Sequence, residues 1–321
     1  MKMLDSSGLL CAVGLSVAVL AGCGGGAMPS QVRAANANAA GPAANVSAAA
    51  VAGVPTSHHM VLVMEENQSY STVVHDRGRW PNLDRLISEG ALATHYFANT
   101  HPSIGNYFML TTGQVLTKND DSTRVWNVDN LARRMLEYRT QFRIYAEGIS
   151  RGDIGGNSGA YLIRHDPFAM LSDIADHRNV AEAKMWPFTQ FATDVHDGGL
   201  QEFSYIVPDV YHDAHSASPE EADAWLEKYV VEPLSVRPAF RPGGDGILIV
   251  DFDEAADNDT RYGGGQVAAV FWGPRVKRGY IQKSGTVYQH QSMLRMVMEA
   301  LHLPNPPGKA ASAPSMGEFF Q

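Results

Sequence analysis

The sequence predicts an α/β fold built on a mostly parallel sheet, and three observations point to it. Short continuous apolar runs, the pattern of strands buried on both faces, recur along the chain. Amphipathic segments with helix-start and helix-stop residues stand between them. Clusters of acids, amides and hydroxyls directly follow the apolar runs, which is where open parallel sheets bind ligands.

The amino end is organised differently from the rest. Lys2 precedes an apolar stretch over residues 9–21 that is too short to span a bilayer as a helix. It ends in Leu20-Ala21-Gly22-Cys23. A basic start, an apolar core and small residues before a cysteine make a secretory signal. These four residues also resemble the lipobox of bacterial lipoproteins. The resemblance implies removal of residues 1–22 and a lipid on the Cys23 thiol that anchors the chain to a membrane. With Gly24 following, it implies the bacterial envelope and the outer membrane, facing the periplasm. Residues 24–56 are rich in Gly, Ala, Asn and Ser with almost no charge, as in a flexible tether.

From residue 57 the texture is that of a folded domain, expected to run to about 307. Residues 59–64 read as a buried strand. Residues 81–90 read as a helix, with Pro81 at its start, apolar residues at helical spacing and Gly90 at its end. Residues 91–97 read as one further strand, 129–140 as a helix, and 142–146 and 203–207 as strands. Ser218-Pro219-Glu220-Glu221 opens a helix through about 231, with an N-cap, Pro and early acids. Residues 246–250 and 267–272 are the clearest buried strands, 289–301 the closing helix and 308–321 a loose tail. Strands alternating with helices indicate one α/β domain.

Composition excludes several chemistries. With 25 Lys and Arg against 34 Asp and Glu the formal net charge is −9, which repels a phosphate backbone and argues against nucleic acid as a partner. Of the two cysteines, Cys11 and Cys23, neither lies beyond the tether. The domain therefore has no disulfide, no thiol nucleophile and no cysteine-ligated zinc.

Three polar clusters follow strands: Glu65-Glu66-Asn67-Gln68-Ser69-Tyr70, the segment from Asn99 to Tyr107, and Asp251-Phe252-Asp253-Glu254. Singly, acids after a strand are often helix caps and a Ser beside Pro is a turn residue. Together they bring carboxylates, an amide and a hydroxyl to one sheet edge. Carboxylates tolerate such proximity when a divalent cation neutralises them, and oxygen-rich sets suit hard cations. A hydroxyl beside such a cation loses its proton more readily, which makes Ser103 a usable nucleophile.

Six motifs in order over residues 59–304 resemble the phosphoesterase family of bacterial phospholipases C and acid phosphatases, within the alkaline phosphatase superfamily. They are Glu66-Asn67-Gln68-Ser69-Tyr70; His101-Pro102-Ser103 through Asn106-Tyr107; Tyr161 through His165 to Phe168; Pro208-Asp209 with Asp213-Ala214-His215; Asp253-Glu254; and Tyr288-Gln289-His290-Gln291-Ser292. The resemblance implies a three-layer α/β/α sandwich. It implies that Glu66, Asn67, Ser103, Asp253 and Glu254 hold a divalent metal ion: Ca, Mg, Mn or Zn. Ser103 would be the nucleophile, and Asn106 would donate to a phosphoryl oxygen. His165, His215 and His290 would line the site as phosphate ligands, proton donors or further metal ligands. His101 and Asp213 belong to the motifs without an assigned role.

This chain departs from the family pattern in places. Gly105 stands where Pro is frequent, which would loosen the nucleophile loop, and Gln289 replaces a frequent Asp. The acids at 257 and 259 have no histidine beside them, so a single metal ion is expected. The resulting expectation is a hydrolase of small phosphate esters acting through a phosphoseryl intermediate. The alternatives are a phospholipase C-type phosphodiesterase acting on lipid head groups, and a non-catalytic surface lipoprotein.

Overall fold

The computed structural model describes residues 53–321; the lipobox-like residues 20–23 and nearly all of the tether lie outside the described residues. Among the described residues ten strands form in chain order: β1 Met60–Glu65, β2 Ala91–Ala93, β3 Tyr96–Phe97, β4 Phe142–Ala146, β5 Met185–Pro187, β6 Phe203–Val207, β7 Ile247–Phe252, β8 Ala269–Trp272, β9 Tyr280–Ile281 and β10 Tyr288–Gln289. Eight of them make one sheet in the order β5-β4-β6-β1-β7-β8-β2-β9. The first five of that order are mutually parallel, while β8 runs antiparallel to both β7 and β2. Every residue of β1 and of β7 is buried, so both sheet faces are covered, which requires helical layers on each side. Each fully buried Val, Leu, Ile or Met in these strands contributes roughly 1.5–3 kcal/mol.

Residues 91–97 do not form one strand. Gln282 Oε1 accepts the backbone amides of Thr94 at 3.0 Å and His95 at 2.9 Å. Those side-chain bonds replace the sheet ladder, and the chain turns out so that β3 pairs in parallel with β10 in a separate two-stranded sheet. The helix Pro81–Glu89 and the capping box at Ser218 follow the sequence pattern. Ser218 Oγ accepts from Glu221 N at 3.2 Å, and Glu221 Oε2 accepts from Ser218 N at 3.0 Å.

The tail is a second correction. Residues 308–321, expected to be loose, carry two 3-10 turns and bury Ala310, Met316, Phe319 and Phe320 completely. Phe319 stacks on Phe271 with centroids 4.9 Å apart, and Glu318 accepts the hydroxyls of Tyr280 and Tyr288 at 2.8 and 2.6 Å. The apolar residues here follow no helical or strand period, so their burial is invisible in a pattern reading.

Candidate active site

β1 and β7 are neighbours in parallel register, Glu65 opposite Phe252, so their next residues leave the sheet side by side. Glu66 and Asn67 emerge from β1, and Asp253 and Glu254 from β7. Asn67 has φ 54, a left-handed conformation that Asn tolerates better than most residues. The turn directs its backbone amide to Asp253 Oδ1 at 2.9 Å and its side-chain amide to Glu66 Oε2 at 2.8 Å.

Ser103 is brought to these acids by the helix Ile104–Thr112, of which it is the N-cap. Its hydroxyl lies 3.1 Å from Glu66 Oε2 and 3.2 Å from Glu254 Oε1, so one oxygen bridges the two strand ends. The helix begins at Ile104, and its first amide is already taken by Asp120 Oδ1 at 3.1 Å. Asn106 is also committed. Its Oδ1 accepts the amides of Asn99 and Thr100 at 2.9 and 3.1 Å, and its Nδ2 donates to Thr100 O at 2.8 Å and Glu254 Oε2 at 3.3 Å. In place of the phosphoryl contact expected of it, Asn106 shapes the nucleophile loop. Gly105 does not loosen that loop: a Cβ there would lie 2.5 Å from Thr100 Cγ2, so the methyl packs where a side chain would be.

The three histidines separate. His165 is buried, with Nε2 3.1 Å from Glu66 Oε1 and Nδ1 3.2 Å from Asp213 Oδ2. Burial, with the Arg164 guanidinium adding, lowers it to about 3, so at neutral pH it is an uncharged imidazole and those contacts are not ion pairs. Asp166, whose carboxylate accepts from Ala169 N and the Tyr161 hydroxyl, anchors the turn beside it. His215 is exposed, its ring centroid 6.0 Å from that of His165, and its backbone amide donates to Asp213 Oδ1 at 2.9 Å. Burial of part of its surroundings lowers its proton affinity against the pull of Asp213.

His290 does not line the site. It is fully buried behind Asp253, with Nε2 2.8 Å from the Asp253 carbonyl and Nδ1 within 2.9 Å of the Tyr96 hydroxyl and 3.3 Å of Asp251 Oδ2. Neither nitrogen is free for phosphate or metal. Burial works to lower its proton affinity, but Asp251 outweighs it and the net shift is upward. Gln289, in the place of the frequent Asp, ties this last helix to the carbonyls of Ala98 and Tyr262, each at 3.2 Å.

Electrostatically the centre lacks positive charge. Burial raises Glu66 well above the usual carboxyl range, with Asp253 and Asp213 adding to it. Burial also raises Asp253, and burial with the Asp253 charge raises Glu254 to about 9. Asp253 Oδ2 is buried with no hydrogen-bond partner, although its other oxygen accepts two backbone amides. Three buried acids, an amide and a hydroxyl around an orphaned carboxylate oxygen are a donor set that fits one hard divalent cation.

Two further contributors carry no role assigned from sequence. Tyr107 donates its hydroxyl to Glu66 Oε1 at 2.5 Å and stacks on His165; its place in the nucleophile motif is its only signal. The Arg164 guanidinium, with Nε 3.9 Å from Asp120 Oδ2, lowers the proton affinity of both His165 and His215, and nothing but its place beside His165 marks it in the sequence. The wider surface clefts, lined by His59 and Arg237 or by Tyr211 and Tyr229, include none of the site residues.

The phosphoesterase family model matches residues 72–304. A phosphatidylinositol-3-phosphatase from Mycobacterium tuberculosis is 28% identical over 274 residues, which cover 84% of this chain and 85% of that protein. A phosphate-repressible acid phosphatase from Penicillium chrysogenum is 28% identical over 181 residues, 54% of this chain and 43% of the fungal enzyme. A solved protein of the alkaline phosphatase superfamily from Vibrio parahaemolyticus superposes with a TM-score of 0.52 at 12% identity, over 82% of this chain and 72% of that one.

Proposed function

This chain belongs to the phosphoesterase family and hydrolyses phosphoric esters, and on that premise we propose that it is a metal-dependent phosphomonoesterase acting through a phosphoseryl intermediate on Ser103. The observation that carries this reading is the Ser103 hydroxyl lying within 3.2 Å of carboxylates from two adjacent strands, beside the unpartnered Asp253 Oδ2.

In the proposed reaction, Ser103 Oγ attacks phosphorus, forming the Ser–O–P bond as the ester P–O bond breaks in line. Its proton has acceptors at 3.1 and 3.2 Å, on Glu66 and Glu254. The departing alkoxide takes a proton from His215, the histidine open to solvent. Water then cleaves the Ser–O–P bond and releases phosphate. His165, kept neutral, lies between Glu66 and Asp213 at 3.1 and 3.2 Å and carries no charge in the cycle. A divalent ion held by Glu66, Asn67, Asp253 and Glu254 would acidify the Ser103 hydroxyl and offset charge on the phosphoryl oxygens.

Preference for monoesters is supported by the similar proteins, which are named as phosphatases. The Mycobacterium tuberculosis protein makes an inositol lipid monophosphate a substrate to test. Chelator-stripped and re-metallated protein, assayed with an aryl phosphate, an aryl phosphorylcholine and a bis-aryl phosphate, distinguishes the readings. Metal-restored turnover of the aryl phosphate is expected. Faster turnover of aryl phosphorylcholine would establish the phospholipase C type instead, and no turnover of any of them the non-catalytic one. Anchoring through Cys23 is part of the proposal, resting on residues 20–23. Cys23→Ser should yield soluble or unprocessed protein, and unchanged membrane-bound protein would refute the anchor.

A further inference from the structure

Ser216 stands between the candidate active site and a cleft. Its hydroxyl lies 2.9 Å from His215 Nδ1, and the same residue lines a surface cleft of about 590 Å³. On its other side His215 faces His165, 6.0 Å between ring centroids, and His165 lies 3.1 Å from Glu66 Oε1, next to Ser103. In-line displacement sends the leaving oxygen to the side of phosphorus opposite the nucleophile. With His215 as its proton donor, the rest of the leaving alcohol lies towards Ser216 and the cleft.

The cleft has a fixed aromatic wall. Glu147 follows β4, which pairs with β6, the neighbour of β1, so its carboxylate stands at the same sheet edge as Glu66. Glu147 Oε1 accepts the Trp225 indole N–H at 3.2 Å, and Oε2 lies 2.8 Å from His212 Nδ1. One carboxylate thus holds both rings in a stack, 5.5 Å between centroids and 14° between planes. Tyr229 extends the wall, its centroid 6.1 Å from that of Trp225. Tyr211 and Tyr229 line the cleft and remain 58% and 43% exposed, so their rings are open to a ligand. Exposed rings beside a fixed stack suit a partner that is itself a ring. Glu221 and Lys228 also line the cleft. Glu221 Oε2 is turned to its own helix cap, accepting from Ser218 N at 3.0 Å and Ser218 Oγ at 3.1 Å. Lys228 Nζ lies 4.7 Å from the centre of the Tyr229 ring, so the cleft offers a ligand an ammonium beside an aromatic face.

Resting on the proton-donor role of His215 in the proposed function, we propose that this cleft is the subsite for the leaving alcohol, and that it takes a ring compound carrying a second anionic group. Tyr211 and Tyr229 meet the ring, and Lys228 meets the anion. They are specificity residues, since they bind the part of the substrate that does not react.

The test compares three phosphate monoesters of primary alcohols, ethyl, benzyl and 4-carboxybenzyl phosphate, on full-length metal-loaded protein. Their leaving oxygens are chemically alike, so differences in kcat/KM report the cleft. Wild type should prefer benzyl over ethyl, and 4-carboxybenzyl over benzyl. Tyr229→Ala should cut the benzyl-to-ethyl ratio about tenfold. Lys228→Ala should cut the carboxybenzyl-to-benzyl ratio about threefold, as for an exposed ion pair. Both side chains are exposed, and circular dichroism reports the fold of each variant. Equal kcat/KM for ethyl and benzyl phosphate, or a wild-type ratio in Tyr229→Ala, overturns the subsite and leaves the monoesterase reading standing. No gain from the carboxylate, or a wild-type ratio in Lys228→Ala, overturns the second anion. No turnover of any of the three overturns both readings.

Discussion

The Tyr107 hydroxyl donates to Glu66 Oε1 at 2.5 Å, while its ring lies nearly parallel to that of His165, 5.3 Å between centroids. One side chain thus fixes both the acid at the end of β1 and the imidazole beside it. The helix Ile104–Thr112 that presents Ser103 also presents Tyr107, one turn further on, so nucleophile and support move as one body.

Tyr107→Phe tests that coupling. The ring and its stacking remain, and only the bond to Glu66 is lost. Divalent-metal affinity should fall about 10- to 100-fold, the usual effect of removing a group that orients a ligand. Isothermal titration with Mn2+ measures it, and unchanged affinity would show that Glu66 needs no such support.

Ser103→Ala should abolish turnover of aryl phosphate while metal content persists, because the acids and Asn67 remain. Acid quenching of wild type with substrate should leave phosphate on the peptide containing Ser103. Full activity in the variant would move the attack to another oxygen.

Metal removal should lower stability. Buried acids of raised proton affinity lose their neutralising partner, and an ion bound at a hundred times its dissociation constant contributes about 2.7 kcal/mol. At roughly 2–4 °C per kcal/mol, melting should drop by about 5–10 °C in chelator and recover on reloading. Coincident melting curves with and without metal would contradict the proposed site.

Asp166 gives a pH prediction. Burial raises it from the ordinary aspartate range to about 7, against the bonds from Ala169 N, Tyr161 and Phe168 N. A carboxyl whose folded value is raised contributes its stability below the unfolded value near 3.8 and loses it as pH rises towards 7, by about 1.4 kcal/mol per unit. Asp166→Asn, neutral at every pH, should therefore melt higher than wild type at pH 8 by several degrees, with the gap closing by pH 4. A gap that is the same at both pH values would mean that Asp166 is already ionised in its buried place.

The site is partly legible in the sequence. Glu66, Asn67, Asp253 and Glu254 meet because they follow two buried neighbouring strands ending at the same sheet edge, which runs such as Ile247–Phe252 announce by composition, and the helix Ile104–Thr112 brings Ser103 to them. The roles of Asn106 and His290 are not legible there. Both carry chemistry suited to phosphate, yet their polar atoms are consumed by Thr100, Asp251, Tyr96 and the Asp253 carbonyl. Which partner a polar side chain finds depends on groups distant in the chain.

Local chemistry sufficed where the determining interactions are local. The buried strands, the Pro81 helix start, the Ser218 capping box and the acids after β1 and β7 follow from residue type and spacing within a short stretch of chain. Tertiary structure decided what rests on long-range contact. Gln282 split residues 91–97 between two sheets, Phe271 captured the C-terminal tail, and the fold carried Glu147 to His212 and Trp225. The physical reason is that a hydrogen bond, a stacked ring or a shared cation pairs groups by distance in space, whatever their separation along the chain, and Thr94 and Gln282 stand 188 positions apart.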